Sequence, residues 1–366
     1  MKNKYYFFLL ICLFQFGSCK NKVKRKFNNF EITKDLFSHD ELSIDFKADT
    51  NYLKSEKKTK LFISTLGSDD NSGKSYKEAV LTLYRVHKIL MELKPKSDVE
   101  IYIDTGVYIG QQVNWSFVNG KKITITGFAK NNKRPIFNGI GKETWFRLDF
   151  RNGKNTNLNF RFLEIINYNL GVGLTGDRDN PKKGWNGGNV FYKMSFKNIG
   201  SKFSVKKNVG YSAINLVNSR ENKIINCVFE NIENIEKNGE EGLIHALYFA
   251  HYSSNNLVKD CSFLNVSGDP IRVRDESNYN RIIRNFFKNA GITAFFSEWY
   301  CSSETTTRNC TKKSGECSSL GNLFLKNKCN NGYAGKKIDL IKLYGNDSLC
   351  GKTNFVRLKY SKNKII

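Results

Sequence analysis

Residues suited to acid–base and anion chemistry concentrate in two short stretches of this 366-residue chain, Gly242-Leu-Ile-His-Ala-Leu-Tyr-Phe-Ala-His-Tyr252 and Gly268-Asp-Pro-Ile-Arg-Val-Arg-Asp-Glu276. Each precedes an Asn-led segment, and those segments start at Asn256 and Asn280, 24 residues apart. A shift of 24 sets His245 over Asp269, Tyr248 over Arg272, Ala250 over Arg274 and His251 over Asp275. On adjacent strands about 4.8 Å apart these side chains form one constellation. Two imidazoles, a phenol and two guanidiniums suit β-elimination from a uronic acid. There a base removes the C5 proton, a cation neutralises the carboxylate that acidifies it, and an acid assists the departing glycosidic oxygen. His251 is the candidate base, Arg274 or Arg272 the neutraliser, and Tyr248 or His245 the acid.

Two other readings use the same residues. A glycoside hydrolase needs a pair of carboxylates, for which Asp269, Asp275, Glu276 and Glu298 are candidates, although the arginines around them work against a general acid. A non-catalytic surface protein would hold an anionic glycan with the arginines alone, and those arginines could also simply pair with Asp269, Asp275 and Glu276 along an exterior face. The next rung, residues 292–300, is expected to bring Ser297, Glu298 or Trp299 to the groove. The expected substrate contacts are therefore Arg272, Asp275, Glu298 and Trp299.

The positioning elements follow from a recurring frame: Asn, a residue four on, an aromatic or Cys seven on, and Asn nine on. It reads Asn222, Asn226, Phe229, Asn231, then Asn256, Asp260, Phe263, Asn265, then Asn280, Arg284, Phe287, Asn289, with fainter copies starting at Asn189 and Asn322. The starts lie 33, 34, 24 and 42 residues apart, a unit of two dozen residues with insertions, as in a stacked solenoid. Apolar positions alternate within each copy, as at Ile224, Cys227 and Phe229, so the unit is a coil of short strands. Asn suits left-handed corners, and stacked amides can bond from coil to coil. The fold class is all-β, a right-handed parallel β-helix, with an antiparallel sandwich of accidental spacing as the alternative. In Ile271-Arg-Val-Arg274 the aliphatics must point in and the arginines out, because an unpaired buried charge is prohibitive. Leu247 and Phe249 then point in, Tyr248 and Ala250 out, and Ala250 leaves an open floor beside Arg274. A helical stripe over 76–93 predicts a helix capping the N-terminal end, with His87 on its surface.

His251-Tyr-Ser-Ser-Asn255 with Cys261-Ser-Phe263, then Ile271-Arg-Val-Arg-Asp-Glu-Ser-Asn278 and Asn285-Phe-Phe287, resembles the central rungs of the chondroitinase B and alginate lyase family of β-helix lyases. The resemblance implies a polysaccharide lyase in which Arg274 takes the place of the family arginine and His251 that of the family's basic lysine. The family's acidic calcium ligands have no counterpart in 244–250, which leaves Glu240 and Glu241 as the nearby acids. No cofactor is expected.

Residues 1–18 read as an export signal, with Lys2 and Lys4 ahead of a short apolar core. Cys19 follows Phe16-Gly17-Ser18 as the lipidated Cys of a bacterial lipobox does, making it a candidate lipid anchor. Residues 19–57 form a polar tether and 58–366 the β-helix domain, with a Cys-rich insertion near 301–317. The formal charge of +25 favours a polyanionic partner, and no nucleic-acid motif is visible. The partner expected is an anionic polysaccharide, the membrane is reached only through the lipid anchor, and the chain is a monomer. The location is periplasmic, outer-membrane or secreted. Cys227 and Cys261 fall in one inward column, while Cys301, Cys310, Cys317, Cys329 and Cys350 are candidates for disulfides stapling the C-terminal region.

Overall fold

The computed structural model describes residues 58–128, 133–301, 315–344 and 356–366. The export signal, Cys19, the tether, Cys310 and Cys350 lie outside them.

The frame is a record of corners. The residue four on, at Lys193, Asn226, Asp260, Arg284 and Lys326, has φ between 51° and 58°, and the Asn nine on, at Asn198, Asn231, Asn265, Asn289 and Asn331, has φ between 42° and 55°. Both are left-handed bends, which Asn tolerates and Lys or Arg adopts only when the surroundings enforce it. Between the bends run short strands that pair in parallel with their counterparts one coil away. One ladder of ten strands runs from Thr59–Ile63 to Leu358–Ser361. The other two faces are joined because the strand Glu164–Thr175 crosses a corner, pairing first with Ser195–Ile199 and then with Ser212–Val217. The fold is a parallel β-helix.

Its interior is a set of columns. Phe196, Phe229, Phe263 and Phe287 stack with centroids 5.3, 5.1 and 4.7 Å apart and rings within 9° of parallel. Each is fully buried, and Cys329 ends the column as a buried free thiol. Cys329 therefore drops out of the disulfide set, because its sulfur fills the place of a ring. Cys227 and Cys261 are likewise buried and free. The first Asn of the frame forms a buried amide ladder: Asn189 Nδ2 donates to Asn222 Oδ1 at 2.9 Å, Asn222 to Asn256 at 2.8 Å and Asn256 to Asn280 at 2.9 Å. A second ladder runs outside through Asn138, Asn167, Asn198, Asn231, Asn265 and Asn289.

The capping helix is shorter than its stripe suggests, spanning Leu83–Leu93 behind the N-cap Thr82. Val80 instead joins the first strand, its N–H donating to Phe62 O at 3.0 Å. His87 faces inward, 6% exposed and stacked on Trp115 at 4.7 Å, where its Nε2 accepts the Ser116 N–H. A histidine near the middle of a helix that lies on a barrel end is covered by the barrel's own aromatic, so the surface position expected for it does not hold.

Candidate active site

The strands His245–Ala250 and Ile271–Val273 pair with Leu247 opposite Ile271, Tyr248 opposite Arg272 and Phe249 opposite Val273. Leu247, Phe249, Ile271 and Val273 are fully buried, whereas Tyr248, Arg272 and Arg274 reach the surface, as the parity argument requires. Ala250 is only 2% exposed, so the floor expected beside Arg274 is not open.

His251 and Asp275 do not belong to the strands. They turn the third corner of consecutive coils with φ of 46° and 50°, and the residues after them, Tyr252 and Glu276, are also left-handed. Two successive non-glycine residues in this region carry strain of about 1 to 3 kcal/mol each, and such strain concentrates at functional sites. The corner brings His251 Nδ1 to 2.8 Å from Asp275 Oδ2. Among the described residues His251 Nε2 has no hydrogen-bond partner, and the residue is 6% exposed. The arrangement is an oriented imidazole: the carboxylate accepts the Nδ1 proton and the lone pair is left on Nε2.

Glu316 completes the cluster from the Cys-rich segment. Arg274 grips it through two bonds, Nε to Oε2 at 2.8 Å and Nη2 to Oε1 at 2.7 Å, and Cys301 N–H donates to Oε2 at 2.8 Å. Arg274 Nη1 also donates to Tyr248 Oη at 3.3 Å, and its guanidinium lies 4.7 Å from the Trp299 ring. Cys301 and Cys317 are each in a disulfide, so neither offers a thiol here. Arg274 is thus engaged within the chain, which overturns the expectation that it stands free for a substrate carboxylate. Glu316 has a signal in the sequence: six residues before Asn322, it occupies the position that Arg274 holds before Asn280. The 42-residue step hides it, because Glu316 falls within the Cys-rich insertion that lengthens that step. Arg178, the other unforeseen neighbour, lies 3.6 Å from Glu316 Oε1 and comes from a loop the ladder does not specify.

Arg272 belongs to a second cluster. Its Nη2 donates to Asp269 Oδ2 at 3.0 Å and its Nε to Ser297 Oγ at 2.7 Å, while Asp269 Oδ1 accepts the N–H groups of Thr293 and Ala294. Burial would raise the Asp269 pKa, but Arg272 and these donors hold it below the usual carboxylate range. The exterior ion-pair alternative therefore describes Arg272. His245 joins this cluster with Nδ1 2.7 Å from Asp269 O. A carbonyl can only accept, so Nδ1 carries the proton. Burial, then Arg272, pushes the His245 pKa down to about 3, which leaves a neutral imidazole and removes His245 as the general acid.

Glu298 is displaced by one position. Ile271 pairs with Phe296, a step of 25 rather than 24, because Asp269 holds open the bend before Ala294. Glu298 consequently falls in the inward column opposite Val273, 1% exposed, where it accepts the Ser319 N–H and meets Arg357 at 2.9 Å. Burial raises its pKa against the pull of Arg357. It cannot line the groove. Trp299, half-buried against Arg274, does reach the site.

His251, Asp275 and Glu316 are the one group among the described residues with ligand atoms close enough for a metal, all within 4.8 Å. They fit a cation poorly, since Arg274 already binds both Glu316 oxygens and Arg178 adds a second positive charge. Glu240 and Glu241 sit apart on the 3-10 turn Glu240–Leu243.

His245 yields a test of the second cluster. Folded, its imidazole stays neutral to about pH 3, whereas unfolded it takes up a proton near its ordinary 6.5. Between these values the unfolded state binds the extra proton, so stability falls as pH drops, by about 1.4 kcal/mol per unit. His245→Asn, which keeps a donor toward Asp269 O, is expected to lack that slope in urea midpoints measured from pH 7 to 4. Parallel curves for both proteins would contradict the assignment.

The chain matches no protein-family model and no curated protein. Solved structures similar to it include a rhamnogalacturonan lyase at 12% identity over 80% of this chain and 88% of that one, with a TM-score of 0.47. They also include the pectate lyase Pel9A at 12% identity, 85% and 79% coverage and a TM-score of 0.49. An alginate lyase from Paenibacillus sp. str. FPU-7 matches at 11% identity, 84% and 95% coverage and a TM-score of 0.48. These neighbours are polysaccharide lyases, and no residue role is carried over from them.

Proposed function

We propose that this chain is an exported polysaccharide lyase that cleaves uronate-containing polysaccharide by β-elimination. The observation that carries the reading is the His251–Asp275 pair, which leaves Nε2 without a partner among the described residues, in one cluster, through Glu316 and Arg274, with an outward-facing Tyr248 that takes a hydrogen bond from Arg274. Nε2 removes the C5 proton, the double bond forms between C4 and C5, and the C4–O bond breaks. Tyr248 Oη gives its proton to the leaving oxygen, and Arg274 Nη1 stabilises the phenolate that remains. Solvent then takes the proton from His251 and returns one to Tyr248, with no water added to the products. Trp299 lies against Arg274 beside them.

The hydrolase reading has Asp275 and Glu316, whose nearest oxygens lie within 4.8 Å, close to the separation of about 5 Å used for retention. It ranks second because both Glu316 oxygens are held by Arg274, leaving neither free to attack or to carry a proton. Export is supported by residues 1–18 and by the charge, which stays at +23 once Lys2 and Lys4 are removed from +25.

The purified domain is to be incubated with alginate, chondroitin, dermatan, hyaluronan, pectate and ulvan. The expected result is ultraviolet absorbance from an unsaturated uronate with at least one of them. New reducing ends without that absorbance would make the protein a hydrolase, and retention without either would make it a binder.

A further inference from the structure

Elimination needs a cation on the substrate carboxylate, and both arginines of the paired strands are occupied. Arg274 has committed its donors to Glu316, Tyr248 and Cys301 Sγ, and Arg272 is bonded to Asp269 and Ser297. Their side chains are 15% and 17% exposed. We infer that Arg178 is the guanidinium that grips the carboxylate of the uronate to be cleaved, an assignment that rests on the lyase reading above.

Arg178 differs from the other two in exposure and in hydrogen bonding. Its side chain is 48% exposed. The carboxylates nearest to it are Glu316 Oε1 at 3.6 Å and Asp179 Oδ1 at 4.0 Å, both beyond hydrogen-bond reach, so its planar fork of donors is unused among the described residues. The backbone that carries it is nevertheless fixed. The loop 176–185 closes on itself through Asp177 N to Gly184 O at 2.7 Å and Gly184 N to Asn180 O at 2.8 Å. Asn218 Nδ2 holds Asp177 O at 2.7 Å, and Arg220 Nη2 holds Pro181 O at 2.6 Å. Asn218 turns the same corner as His251 one coil earlier, its N–H donating to His251 O at 2.8 Å. The loop is therefore hung from the residue directly beneath the base.

The chemistry of the substrate demands this proximity. In a uronate the carboxyl carbon is bonded to C5, the atom that loses its proton, so the anchor for one must lie next to the base for the other. Glu316 Oε1 is 3.6 Å from Arg178 and 3.8 Å from His251 Nδ1, which measures how close those two groups stand. A carboxylate approaching from solvent meets Arg178 first and binds it bidentately. The uncharged ester or alcohol of the same sugar has nothing for the guanidinium to pair with, so Arg178 also sets the preference for free acid.

Binding tests this separately from turnover. The full chain and its Arg178→Gln variant are run on ice through gels containing each polymer of the panel, each beside its carboxyl-reduced form. The wild type is expected to be retarded by at least one acid and by none of the reduced polymers. The variant should lose ~10- to 100-fold in affinity, the scale of one charge-assisted pair, with an unchanged unfolding midpoint. A Lys182→Gln, Lys183→Gln double variant on the same loop should lose far less, which separates a specific grip from general charge. Equal retardation of Arg178→Gln and wild type overturns the assignment even if the wild type is a lyase, and so does a wild type that binds no acid. Loss of binding in Arg178→Gln, together with absence of unsaturated product from the wild type, would retain the anchor and reject elimination.

Discussion

His251→Asn is expected to lower turnover by roughly 100- to 10,000-fold, the range for removing a positioned general base, while the protein stays folded. Asparagine is the informative replacement because it tolerates the left-handed corner at φ 46° and its amide can still face Asp275. What it lacks is a lone pair where Nε2 stands. Substrate affinity should change little, since the imidazole acts on the C5 proton and not on the charge that holds the sugar, so the loss should fall in kcat. Asp275→Asn should give a loss of similar kind. An amide in place of the carboxylate can present N–H to Nδ1, which turns the imidazole into the tautomer with its proton on Nε2 and abolishes the base without removing the ring. Activity within tenfold of wild type in both variants would remove His251 from the mechanism and shift the base to another group, Tyr248 first.

The architecture was legible because every coil must turn corners, and corners demand particular residues. Asn226, Asp260 and Asn231 are where the backbone goes left-handed, and the spacing between such positions is the length of a face. Phe229, Phe263 and Phe287 marked the interior because a column buried on all sides accepts only apolar side chains. The 24-residue step between Asn256 and Asn280 placed Tyr248 over Arg272 correctly, since no insertion interrupts it. Glu298 was misplaced for a local reason: Asp269 bonds two backbone N–H groups at the next bend and adds one residue there, and a slip of one reverses the face. Arg178 was invisible because its position depends on a loop folding back over a neighbouring coil, a contact that no ladder register records. The expected destination of Arg274 was wrong because a sequence shows which side a charge must leave by, but not what meets it there.

Arg274→Ala should therefore do more than stop turnover. The side chain is 15% exposed and is bound through Nε and Nη2 to a carboxylate that is 1% exposed. Removing it takes two charge-assisted bonds from the buried Glu316 carboxylate, which otherwise accepts the Cys301 N–H and lies 3.6 Å from Arg178 and 3.8 Å from His251 Nδ1. Breaking a buried pair from one side costs about 3 to 5 kcal/mol, a large share of the roughly 5 to 15 kcal/mol that holds a domain together. The unfolding midpoint should fall accordingly, and the segment from Glu316 to Ser319, attached to the coil through Cys317 N to Asp275 Oδ1 and Ser277 N to Ser319 Oγ, should become the first site of proteolysis. The double variant Arg274→Met, Glu316→Gln separates the two roles of the arginine. It leaves no uncompensated charge, so most of the lost stability should return, whereas Tyr248 remains without the Nη1 partner that stabilises its phenolate and turnover should stay low. Recovery of both together would mean that Arg274 only holds the segment in place, and a single variant as stable as wild type would mean that the Arg274–Glu316 pair does not hold it at all.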